Sequence, residues 1–95
     1  MSKIKWGIIG NGSIANAFAH SIKYCDHSNL ISVYGRNEVT LRQFSKKFNI
    51  QAHSDINSLL SSNDIDAVYI ATPHNSHFDY VFQAIKNKKH VLCEK

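Results

Sequence analysis

Short apolar runs alternate along the chain with stretches in which apolar residues recur every three or four positions. Ile4, Trp6, Ile8 and Ile9 form a first run, closed by Gly10. Over residues 13–24, Ile14, Ala15, Phe18, Ala19 and Ile22 keep helical spacing, which predicts an amphipathic helix. Residues 30–34 read as a second strand, ended by Gly35, and Leu41, Phe44 and Phe48 make a second helical stripe. Residues 50–53 predict a very short strand. Ser54 or Asp55 can then cap a short helix carrying Ile56, Leu59 and Leu60. Residues 67–71 are almost wholly apolar, as in a strand buried on both faces. Ser76 and Asp79 match the spacing of a capping box, with Asp in place of Glu. Phe78, Val81, Phe82 and Ile85 then give the apolar stripe of a fourth helix. Lys86, Lys88 and Lys89 suit the negative end of that helix, and residues 90–93 form a fifth strand.

Strict alternation of strand and helix predicts right-handed crossovers and a parallel sheet covered by helices. The fold class is therefore α/β: a doubly wound, Rossmann-like sheet of five strands. It reads as incomplete, because the chain stops two residues after the last strand, at Glu94-Lys95, with no helix to cover it. Residues 1–95 make one domain and leave no room for a second of ordinary size. A core this small, beside an uncovered edge strand, predicts a marginal chain prone to self-association through that edge.

Composition narrows the function. No apolar run nears the length of a membrane span, and Gly7 interrupts the N-terminus too soon for a secretory signal, so the expected location is cytoplasmic. Cys25 and Cys93 are read as small, reduced, partly buried residues, and no C-x-x-C supports zinc or a redox dithiol. The net charge of +4 is compatible with a polyanion, but the lysines are dispersed and not interleaved with aromatics. A phosphorylated small molecule fits better than nucleic acid. His74 and His77 lie three apart, yet no third ligand has a convincing position, and Glu94 could join them only by an accident of the fold, so no metal is expected. His20, His27, His53 and His90 read as surface or strand-end residues.

Four short segments carry candidate chemistry. Gly10-Asn11-Gly12-Ser13-Ile14-Ala15 is a G-x-G-x-x-A that follows a strand and opens a helix. Gly10 permits the tight turn, Gly12 lets the backbone approach a pyrophosphate, and Ala15 lets helix and strand pack closely. The free N–H groups of the helix start then face the phosphates. After the second strand stands Tyr34-Gly35-Arg36-Asn37, where an NAD site would carry an acid. Arg36 can instead take a 2′-phosphate through a charge-assisted fork, and Asn37 can add a neutral hydrogen bond. This favours NADP over NAD; the plain alternative is a solvated loop arginine. Thr72-Pro73-His74 follows the fourth strand and faces the crevice where strand order reverses. Glu94-Lys95 follows the fifth. Lys95 could exchange a proton with a substrate oxygen beside a nicotinamide, or both could be solvated residues at a chain end.

Together these segments resemble the Gfo/Idh/MocA oxidoreductases. The resemblance rests on residues 5–15, on Asp66 to His74 with His77, and on His90 to Lys95, which is similar to the family's Glu-Lys-Pro signature cut before the proline. Lys5-Trp6-Gly7, Gly35-Arg36, Thr72-Pro73-His74 and Leu92-Cys93-Glu94-Lys95 look most like the dihydrodiol and D-xylose dehydrogenase branch, which is associated with NADP. The resemblance implies that Gly10, Gly12, Ser13 and Ile14 line the pyrophosphate and that Arg36 meets the 2′-phosphate. It implies that Thr72, Pro73 and His74 border the nicotinamide, and that Glu94 and the catalytic Lys95 reach nicotinamide and substrate. It also implies a sugar or cyclic diol substrate, held mostly by a second domain that this chain lacks. The chain alone is therefore expected to be inactive; the alternative is a non-catalytic, truncated dinucleotide-binding module. Where relatives place Gly before the last strand, this chain has Asn87-Lys88-Lys89, so Asn87 or Lys88 must adopt a left-handed conformation.

Overall fold

The structure is a computed structural model that describes residues 3–71 and 74–93; for residues 74–78 and for Cys93 it describes the backbone alone. The elements in order are β1 (Ile4–Ile9), α1 (Ser13–Ile22), β2 (Ser28–Tyr34), α2 (Glu38–Phe48), β3 (Gln51–His53), α3 (Ile56–Leu60), β4 (Ala67–Ile70), α4 (His74–Lys86) and β5 (His90–Cys93). The strands are all parallel, in the order β3-β2-β1-β4-β5. Strand order thus runs outward from β1 in one direction and restarts at β4 in the other. The expected doubly wound sheet is present, with the reversal point between β1 and β4.

Period-two alternation sends side chains of each strand to two faces, and each face has its own core. On one, Ile8 and Val33 pack with Ala15 and Ala19 of α1 and with Leu41 and Phe44 of α2. On the other, Ile9, Val68 and Ile70 pack with Leu59 and Leu60 of α3 and with Tyr80 and Ala84 of α4. The central strands β1 and β4 are covered on both faces, which explains their near-continuous apolar sequence. Phe18 of α1 stacks on Tyr69 at 4.1 Å between ring centroids and meets Trp6 edge-on at 5.4 Å, tying α1 to both strands.

Three expectations need correction. The stripe predicted for α4 is rotated: Tyr80, Val81 and Ala84 face the sheet, whereas Phe82 and Ile85 are each 63% exposed. Ala84 is fully buried, and its small side chain lets the helix lie close to β4. A count of large apolar residues overlooks that signal. Ser76 is the third residue of α4, so the helix starts ahead of the predicted capping box. Cys25 is exposed, because α1 ends at Ile22 and the chain then turns through 23–27 on the surface. At the end of α4, Lys88 takes the left-handed conformation, with φ 63°, and Asn87 does not.

Candidate functional site

The carboxyl ends of β1, β2 and β4 finish level with one another. Ile9 pairs with Tyr34 on one side and Ile70 on the other. The Gly10 N–H donates to the Tyr34 carbonyl at 2.7 Å, and the Ala71 N–H donates to the Ile9 carbonyl at 2.9 Å. Gly10 then turns away at φ 110°, a conformation open to glycine and strained for other residues. Gly12 is the N-cap of α1. It offers no side-chain oxygen to the helix start, and a Cβ built on it would meet nothing within 4 Å. No internal packing therefore requires glycine at 12, and the space over it lies at the positive end of α1. Ser13 and Ile14 are exposed beside it, Ile14 at 45%. The cradle fits the phosphates of a dinucleotide, which need both the open approach and the free helix start.

Gly35 is small for a different reason. A Cβ there would stand 2.6 Å from Asn11 Nδ2. Asn11, the middle residue of the glycine turn, lies across Gly35 and donates to Thr40 Oγ1 at 3.1 Å. This latch joins the glycine turn to the segment that starts α2. Asn37 is the N-cap of α2: its Oδ1 accepts from the Val39 and Thr40 N–H groups at 3.0 and 3.1 Å. Only its Nδ2 is left over from this cap to offer a ligand. Glu38, the nearest acid after β2, is bound to Arg42 one turn along at 2.7 Å. Arg36 is exposed at the end of β2, and its interaction with the Tyr80 hydroxyl keeps the guanidinium charged beyond its already high ordinary range. Burial first, then the neighbouring Tyr80, push the Tyr34 phenol up, while the Arg36 charge pulls it down.

The family model of oxidoreductases with an NAD-binding Rossmann fold, named for Gfo, Idh and MocA, matches residues 4–95. The chain belongs to the Gfo/Idh/MocA oxidoreductase family. It is 38% identical to oxidoreductase P35 of Formosa agariphila, over 99% of this chain and 30% of that one. It is 32% identical to a trans-1,2-dihydrobenzene-1,2-diol dehydrogenase of Xenopus tropicalis, over 96% and 28%. A D-xylose 1-dehydrogenase (NADP(+)) of Hypocrea jecorina is 30% identical, over 97% and 27%. Biliverdin reductase from Synechocystis, solved with biliverdin and NADP+, superposes with a TM-score of 0.91 at 28% identity, over 97% of this chain and 29% of that one. The chain spans 25–30% of the length of these and similar curated relatives. As a member of the Gfo/Idh/MocA family, it is an NAD(P)-binding Rossmann domain.

Gly10, Gly12, Ser13, Ile14, Arg36 and Asn37 thus share the carboxyl end of the sheet. His74 begins α4 at the same end, directly after the β4 loop. Thr72, Pro73, Glu94 and Lys95 lie outside the described residues, as does the side chain of His74. Among the described residues no cluster of His, Cys, Asp and Glu could hold a metal, and no helix is long and apolar enough to cross a membrane. A groove of about 790 Å³ opens at the opposite, amino end of the strands, lined by Trp6, Asp66, Lys88 and Lys89 among others. Its position disfavours it as the dinucleotide site, because ligands of open parallel sheets sit beyond the carboxyl ends.

Sequence reasoning missed three residues. Asn11 occupies a position that the glycine pattern leaves free. Tyr80 lies 44 residues from Arg36, and nothing local announces that they interact. His53 does end a strand, as expected, but it is buried at 9% exposure. Its Nδ1 is 2.9 Å from Ser58 Oγ, and its buried Nε2 has no hydrogen-bond partner among the described residues. Burial holds this imidazole below its usual 6.5, with the Asp55 charge opposing.

Proposed function

We propose that residues 1–95 are the cofactor-holding part of a cytoplasmic, NADP-dependent oxidoreductase. It would move a hydride between the dinucleotide and a hydroxyl-bearing carbon of a sugar or cyclic diol. The observation that carries the reading is the pairing of two features at the carboxyl end of the sheet. Gly12 opens onto unfilled space at an uncapped helix start, and Arg36 stands exposed beyond β2, where Glu38, the nearest acid in sequence after β2, is paired with Arg42. An NAD site needs a carboxylate there to accept from the ribose hydroxyls. Glu38 is instead engaged by Arg42. The names of relatives that include D-xylose 1-dehydrogenase (NADP(+)) and a dihydrodiol dehydrogenase support the substrate class and the cofactor preference.

When bound, the nicotinamide ring supplies the carbon that accepts or gives the hydride. The roles of this chain's residues are positional and electrostatic. Gly10, Gly12, Ser13 and Ile14 would hold the pyrophosphate against the start of α1. Arg36, aided by Asn37 Nδ2, would take the 2′-phosphate. Thr72, Pro73 and His74 would border the nicotinamide, and Glu94 would reach its ribose. Lys95 would hold or pass the proton of the substrate hydroxyl. Chemistry also needs the substrate fixed over the ring, so the isolated chain is expected to bind without turnover.

Calorimetry with NADPH and NADH tests the cofactor reading. The unsubstituted chain should prefer NADPH. Arg36→Ala should weaken NADPH about tenfold or more, the scale of a charged hydrogen bond, and leave NADH nearly unchanged. Equal losses for both cofactors would remove the 2′-phosphate role.

A further inference from the structure

We propose that Asn11 and Thr40 act as a pair of positioning residues for Arg36: their hydrogen bond fixes the span between the glycine turn and the loop after β2, so that selection of NADP over NAD depends on two side chains that act without touching the 2′-phosphate. The proposal rests on the role assigned to Arg36 above and adds to it two residues from outside that loop.

The loop that carries Arg36 is tied to the glycine turn on both sides of that residue. Ahead of it, the Gly10 N–H donates to the Tyr34 carbonyl at 2.7 Å and continues the ladder between β1 and β2. Behind it, Asn11 Nδ2 donates to Thr40 Oγ1 at 3.1 Å, and that hydroxyl donates in turn to the Asn37 carbonyl at 3.2 Å. The donors and acceptors balance, because a threonine hydroxyl has one O–H to give and lone pairs with which to accept from an amide. Gly35 is buried beneath Asn11, whose Nδ2 stands 2.6 Å from where a Cβ would be built. The residues on either side of Arg36 are therefore both engaged, and its own side chain is left exposed.

Packing does not account for this bond. Thr40 is exposed and belongs to neither apolar core, and Asn37 already supplies the start of α2 with two hydrogen bonds. An exposed bond between neutral side chains contributes little to stability, but it does set a distance. In NADP the pyrophosphate and the 2′-phosphate are joined through one ribose, so the two anions stand a limited covalent span apart. A site that takes both gains most when its two halves already stand at that span, because ordering a loop during binding costs affinity. NAD lacks the second anion and makes no such demand. From α2, Lys47 Nζ also donates to Asn16 Oδ1 at 3.0 Å, and Asn16 Nδ2 donates to the Gly12 carbonyl at 3.0 Å. The turn is thus held from α2 at two points, of which the Asn11–Thr40 bond is the one that continues to Asn37.

The test uses the whole chain and measures NADP+ and NAD+ affinities by calorimetry for the unsubstituted protein, Thr40→Val, Asn11→Ala, their double variant, Thr40→Ser and Arg36→Ala. Thr40→Val keeps the shape and removes the hydroxyl. It should lower the NADP+/NAD+ affinity ratio by ~2–10-fold, the scale of one side chain that must be ordered on binding. Asn11→Ala should lower the ratio by the same factor and the double variant no further, because the two residues act through one bond. Thr40→Ser should restore the ratio. Losses that add in the double variant would indicate separate contacts with the cofactor and overturn the positioning role. So would a ratio unchanged in Thr40→Val, or left low in Thr40→Ser, while Arg36→Ala collapses it; the reading of Arg36 would then stand. A ratio unmoved by Arg36→Ala, or no binding of either nucleotide by the unsubstituted chain, would overturn both. A ligand-free measurement stands beside these: in Thr40→Val the side-chain amide NMR signals of Asn11 should move to those of a free asparagine while the backbone spectrum of the core strands holds. Side-chain signals that stay where they were would also overturn the proposal.

Discussion

Gly12 and Gly35 lack a side chain for opposite reasons, and the difference can be measured. At Gly12 the missing Cβ faces open space, so nothing in the protein opposes a larger residue there. Gly12→Val should keep the circular dichroism spectrum and abolish NADPH binding in calorimetry, because only a ligand would meet the new methyl groups. Retained affinity would contradict the cradle. At Gly35 the missing Cβ faces Asn11 at 2.6 Å. Gly35→Ala should displace Asn11 from Thr40 and cost about 1 kcal/mol of stability by chemical denaturation, the scale of one lost hydrogen bond. His53 predicts a pH dependence. Its folded pKa lies below the 6.5 of the unfolded chain, so the unfolded state binds the extra proton first. Its contribution is complete above about pH 6.5 and is lost as pH falls through the lower, folded value. His53→Gln should flatten the loss of thermal stability between neutral pH and pH 5; an unchanged slope would assign the loss to other groups.

At the scale of elements, helix ends decide more than helix interiors. Asn37 caps α2 with two hydrogen bonds and also stands beside Arg36, so Asn37→Ala should lower stability by about 1 kcal/mol. In a domain of this size that is a drop of roughly 4–8 °C in Tm by calorimetry. Lys88 closes α4 at φ 63°, where a side chain is strained, and Lys88→Gly should raise stability by about 1 kcal/mol. The order and type of all nine elements were legible because alternating periods of two and 3.6 leave little choice. The rotation of α4 was not. Its buried face is marked by Tyr80 and the small Ala84, while the larger Phe82 and Ile85 face out, so hydrophobic size pointed the wrong way. The glycine turn and Arg36 were legible as local motifs. The Asn11–Thr40 latch was not, because it joins residues that only the crossovers bring together.

For the molecule as a whole, the sheet divides labour between its two ends. The carboxyl end carries the glycine turn, the latch and Arg36, whereas the amino end carries a groove with lysines and an aspartate. Phe82, Ile85 and the 47%-exposed Leu92 all lie on α4 or β5, and among the described strands β5 pairs only with β4. Exposed apolar side chains beside an open strand edge favour association. Sedimentation of the isolated chain should show self-association that weakens in Phe82→Ser with Ile85→Ser; a strict monomer at high concentration would contradict this. The most direct measurement of the central claim is an NMR titration of the labelled chain with NADPH. Amide shifts should concentrate at residues 10–15 and 35–37, with the side-chain signal of Arg36 moving for NADPH and not for NADH. Shifts confined to the amino-end groove around Trp6, Asp66 and Lys89, or the same Arg36 response to both nucleotides, would contradict it.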